Sequence, residues 1–181
     1  MMGSKRRWIA TTLLMGGLLA AAPSLPRAAE TEHPAPPSAL VEDARVLDGL
    51  DALARRPGQL GIEGQRLRDV LRAHISYREE VVLPSLTLLP RIAEGVVTPD
   101  MAWAVSAGER VHHDRNQHLL AHLDITDRLI AVFAAAQAAD DEAAAQQAQD
   151  LAAFMLGDDE VDENVTVMVG NWLHRNLPAG G

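Results

Sequence analysis

Residues 72 to 84 read Arg72-Ala-His74-Ile-Ser-Tyr77-Arg78-Glu79-Glu80-Val81-Val82-Leu83-Pro84, and at helical spacing they set His74 and Arg78 on one face. A broken echo occurs at Phe154-Met-Leu-Gly-Asp158-Asp159-Glu160-Val161. Both stretches keep an acidic-Glu-Val step at the same distance from a reference position, His74 in one and Phe154 in the other. A repeat that keeps its shape and loses a histidine suggests a metal-site scaffold with altered ligands. Other intervals agree. Asp43 lies 31 residues before His74, His122 lies 32 before Phe154, and Asp43-x-x-Val46 mirrors His122-x-x-Ile125. The chain reads as two related helix hairpins packed around one polar layer.

Helices must carry these residues. Alanine and leucine dominate the composition, which favours helices over sheets, and no segment shows sustained strand alternation. Four helical stretches are expected. The first runs from an N-cap at Ser38 to Arg56, before Pro57-Gly58. The second runs from Ile62 to Glu94, kinked or broken by Pro84 and Pro90. The third opens on Thr98-Pro99-Asp100, with a threonine cap and proline at the first helical position, and continues to Ala139. The fourth runs from Asp141 to Asn176, with Gly157 as a weak point. Short connections between four helices indicate an all-α, up-and-down four-helix bundle.

Heptad reading gives each helix a buried stripe. The first carries Leu40, Leu47, Leu50 and Ala54, with Asp43 among them. The second carries Leu67, Leu71, Val81 and Leu88, with His74 and Arg78. The third carries Val105, Leu119, Ile125, Leu129, Val132 and Phe133, with His122 in the middle and His118 on or beside the stripe. The fourth carries Leu151, Phe154, Val161, Val165, Met168 and Trp172, with Asp158. Every helix therefore points at least one polar group inward. Such groups are costly to bury unless they pair with each other or with a metal.

The rest of the chain bounds the function. Lys5, Arg6 and Arg7, the apolar run Ile9 to Ala22 and the small residues up to Ala29 form an export signal over residues 1–29, or an N-terminal membrane anchor if uncleaved. Export would place the domain in a periplasmic or extracellular space. Residues 30–37 are a proline-rich linker, 38–177 the bundle and 178–181 a tail. Loss of the signal removes four basic and no acidic residues, so the formal charge moves from −9 to −13. So acidic a body excludes nucleic acid as a partner. Cysteine is absent, which removes disulfides, thiolate metal sites and cysteine nucleophiles. There is no glycine-flanked serine elbow and no phosphate loop. Glu79-Glu80 and Asp158-Asp159 are sequence neighbours, about 100° apart on a helix, so neither makes an acid–base pair.

Residues 38 to 177 resemble the hemerythrin-like family of cation-binding four-helix bundles. The resemblance rests on His74 with Glu79-Glu80-Val81 and Pro84, on His122-x-x-Ile125 after a leucine pair, and on Val165-Thr-Val-Met-Val-Gly170-Asn-Trp172-Leu173. It implies two irons held by histidines from all four helices and by carboxylates from the second and fourth, and through iron the binding of oxygen or nitric oxide. Position by position, the first-helix histidine is Asp43 and the second-helix histidine is His74, with Arg78 in place of the carboxylate one turn on. The third-helix histidine is His122. The fourth-helix histidine is Phe154, and its carboxylate partner is Asp158. Family variants with other spacings would pair His74 with Glu79 and add His118, one turn before His122, as a chelating neighbour. Two accounts follow. One is a rebuilt, single-metal site on His74, His118, His122 and one of Glu79, Asp43 or Asp158. The other is a metal-free structural or partner-binding bundle in which Arg78 replaces the metal charge and pairs with Asp43 and Asp158.

Overall fold

The computed structural model describes residues 33–155 and 160–178. These are helical, and none of the described residues lies in a strand. In chain order the helices are α1 (Pro37–Ala54), α2 (Gly58–Tyr77), the short α3 (Leu83–Leu86) and α4 (Leu89–Ala93), α5 (Trp103–Ala138), α6 (Glu142–Phe154) and α7 (Glu160–Asn176). A π-helical turn, Arg78–Val82, joins α2 to α3, and a 3₁₀ turn, Pro99–Met101, precedes α5. Helix α5 is the axis of the assembly. At 36 residues it is about 54 Å long at 1.5 Å per residue, and it packs on α2, α6 and α7, while α1 packs on α2.

The second stretch is broken where its prolines forbid a continuous hydrogen-bond ladder, and α6 begins as expected beside Asp141. The Asp141 carboxylate accepts the backbone N–H of Ala144 at 3.0 Å. Two expected caps are not made. Helix α1 starts at Pro37 with Pro36 as its cap residue, two positions before Ser38. Thr98 does not cap, because its hydroxyl instead accepts Arg91 Nη2 at 2.6 Å, tying the start of the 3₁₀ turn to α4.

The core has a large apolar cluster and a smaller one. The large cluster joins Val46, Leu50 and Leu53 of α1 to Leu67, Leu71 and Ile75 of α2, to Ile125, Leu129 and Val132 of α5, and to Leu151 and Phe154 of α6. The smaller cluster joins Leu88, Met101, Ala104, Val169 and Leu173. Each fully buried leucine contributes about 2 kcal/mol. Close backbone approach sharpens both clusters. A Cβ on Gly64 would lie 2.7 Å from the Leu53 carbonyl carbon, and one on Gly170 would lie 3.0 Å from Gly108 Cα.

The stripe on the second stretch is as expected, with Leu67, Leu71, Val81 and Leu88 all buried. On the other helices the expected stripes hold in part: Leu50, Ile125, Leu129, Val132, Leu151 and Phe154 are buried, and four expected positions face outward. Leu40, Leu119, Val161 and Met168 are 38%, 59%, 56% and 66% exposed. The phase of α5 is fixed by the sum of Val111, Ile125, Leu129 and Val132, which together turn position 118 inward and position 119 outward. A single leucine cannot rotate a helix against four such contacts.

Both ends are pinned. The Arg56 guanidinium lies 3.4 Å from Asp141, bridging the α1–α2 turn and the α5–α6 turn. At the other end of α5, the His33 ring stacks on Trp103 with centroids 4.0 Å apart and planes 8° from parallel. No helix among the described residues is long and apolar enough to cross a membrane.

Candidate functional site

Along α5, Val111, His118 and Ile125 follow at seven-residue intervals, and all three are buried. The polar layer lies at this level, and it divides into two groups.

The first is centred on Arg78, which begins the π turn and is only 2% exposed. Nη1 donates to Oδ1 of Asp43, which is fully buried on α1. Nη2 donates to Oδ2 of Asp162 on α7 at 2.7 Å. The guanidinium carbon lies 5.2 Å from the centroid of Phe154, at the end of α6, within cation–π range. Of the four positions where the resemblance calls for histidine, Asp43 and Phe154 are the two that lack it, and both now hold the arginine. Asp162 was not among the expected partners, and the expected one, Asp158, lies outside the described residues.

The second group is aromatic. His74 and His122 stand edge to face with ring centroids 4.9 Å apart, and His74 and His118 are 6.4 Å apart. His118 Nδ1 donates to Oε1 of Glu163 at 2.8 Å, and His122 Nε2 lies 3.9 Å from the same oxygen. Tyr77 places its ring 4.2 Å from that of His118 and donates its hydroxyl to Asp114 at 3.3 Å, while the Arg110 guanidinium carbon lies 5.3 Å from the Tyr77 ring centroid. Burial first, then the Asp114 carboxylate, push the Tyr77 phenol up to about 12.

Glu163 and Asp162 were not legible as site residues. They are sequence neighbours, so on α7 they point about 100° apart. One reaches Arg78 and the other reaches the histidines. The same rotation that argues against Glu79-Glu80 as an acid–base pair was the signal for this division. Glu79 itself is half-buried, and burial raises its carboxyl above the ordinary range. The charges that act on it are Arg78 and Glu80, with no histidine among them. His112 and His113 are exposed on the outer face of α5.

A di-iron centre does not fit these residues. The carboxylate it needs on α2 is a buried guanidinium, permanently charged and set between two carboxylates. Among the described residues, no group of three or more His, Asp and Glu side chains is arranged to hold a metal ion. Comparison with known protein families, with characterised proteins and with solved structures finds no match.

Proposed function

We propose that the chain is an exported, hemerythrin-like four-helix bundle that acts as a metal-free binding or structural module. In this reading Arg78 supplies the positive charge that metal ions supply in the family. One observation carries it: the Arg78 guanidinium is buried between Asp43 and Asp162 and lies over Phe154. A cation there repels a second cation, and its two carboxylates are already engaged. Metal analysis of protein purified from its native host is the test. Less than about a tenth of an equivalent of iron, zinc or manganese, with no rise in Tm on adding metal, is expected. Close to one equivalent would overturn the reading.

That second outcome has its own support. Three imidazoles from α2 and α5 gather within 6.4 Å beside Glu163, and imidazole with carboxylate suits iron or zinc. A single metal on His74, His118, His122 and Glu163 would require the rings to turn toward a common point. If iron filled it, a diatomic gas would be its ligand. Cobalt(II) titration decides between the readings, because a visible band lost in His118→Ala would establish the metal site.

A further inference from the structure

A cleft of about 340 Å³ opens between α5 and α6, lined by His122, Thr126, Leu129, Ile130, Phe133, Ala148, Gln149, Ala152 and Met155. That is the room of about eleven water molecules at about 30 Å³ each, far more than a diatomic gas needs. It also falls within the size range of small-molecule sites, about 300 Å³ and upward. The three residues between Ala138 and Glu142 make α5 and α6 antiparallel neighbours. His122 and Met155 are thus the lining residues farthest from the turn, and Phe133 lies toward it. The cleft has an apolar body and a single imidazole at its inner end. Thr126 adds little polarity, since its hydroxyl already donates to the His122 carbonyl at 2.8 Å.

We propose that this cleft binds a small, neutral, mainly apolar organic molecule, with one hydroxyl or carbonyl directed at His122. Shape and chemistry set the body: Leu129, Ile130 and Phe133 on one wall, and Ala148, Ala152 and Met155 on the other. Electrostatics set the head. The Glu163 carboxylate lies 3.9 Å from His122 Nε2, and the chain carries a formal charge of −9, so a carboxylate head would meet like charge. The proposal goes beyond the metal-free reading, and it concerns a different wall of the bundle from Arg78.

The test uses the full chain after chelator treatment, with 1-octanol and octanoate as probes at pH 8, followed by methyl NMR. Octanol is expected to shift the methyl signals of Leu129, Ile130, Ala148 and Met155, with octanoate at least about tenfold weaker. Ala152→Leu narrows the cleft and should abolish the octanol shifts. Ile130→Trp, at the exposed rim, repeats that test if Ala152→Leu is unstable. Shifts that map elsewhere, octanoate binding as tight as octanol, or undiminished binding by the narrowed variants would overturn the proposal. None of these outcomes depends on metal content, so the proposal and the metal-free reading fail separately.

Discussion

Removing the Arg78 side chain leaves Asp43 as a fully buried carboxylate without its guanidinium, so Arg78→Leu should cost about 3–5 kcal/mol in urea unfolding. The double variant Asp43→Leu/Arg78→Leu should recover most of that loss, because an apolar pair needs no solvation. If the double variant is no better than the single one, the pair is not the source of the effect. Tyr77 gives a second prediction at this scale. Its phenol is held at about 12 in the fold and sits near 10.0 when unfolded. Stability from the protonated phenol is therefore complete below 10 and lost as pH rises toward 12. Tyr77→Phe should flatten the alkaline limb of a stability–pH profile. His74 and Arg78 were legible as inward residues because helical spacing from Leu67 and Leu71 fixes their phase, and Asp43 because spacing to Leu47 and Leu50 fixes its own. Asp162 and Glu163 were not, because the internal repeat drew attention to Asp158 and Asp159, one turn earlier.

The π turn is the element that sets Arg78 in place. Where the turn ends, Thr166 on α7, fully buried, donates its hydroxyl to the Val82 carbonyl at 2.8 Å. Thr166→Val keeps the shape and removes the donor. It should cost about 1–3 kcal/mol by thermal unfolding. The seam between α5 and α7 gives another prediction. A methyl group on Gly170 would lie 3.0 Å from the Ala104 carbonyl oxygen and from Gly108 Cα, so Gly170→Ala should cost about 1–3 kcal/mol. A neutral Gly170→Ala would mean that the helices part more easily than this contact implies. The break in the second stretch was legible from Pro84 and Pro90. The π turn was not, because no local residue preference encodes it. It answers to contacts with Thr166 and Asp162, more than 80 positions away in the chain.

Acidity is a property of the whole molecule. At a formal charge of −9 the folded state repels itself, and salt screens that repulsion over about 8–10 Å. Raising sodium chloride from low to physiological concentration should raise Tm, and Arg78→Leu should show the same slope, since its ion pair is shielded from solvent. A falling Tm would mean that surface ion pairs such as Arg68 with Asp51 outweigh the net repulsion. The all-helical class was legible because composition and periodicity agree. The cleft between α5 and α6 was not, because a void depends on how the small alanines of α6 fail to fill the space beside the larger side chains of α5. The stack of His33 on Trp103 also bears on orientation. It fastens the entering chain at the start of α5, the end farthest from the bridged turns at Arg56 and Asp141. Anything that tethers the protein through the residues before His33 would hold it upright by that end. The two hairpin turns would then point away from the tether, with the Leu129–Phe133 side of the cleft on the outer half, open to whatever diffuses past.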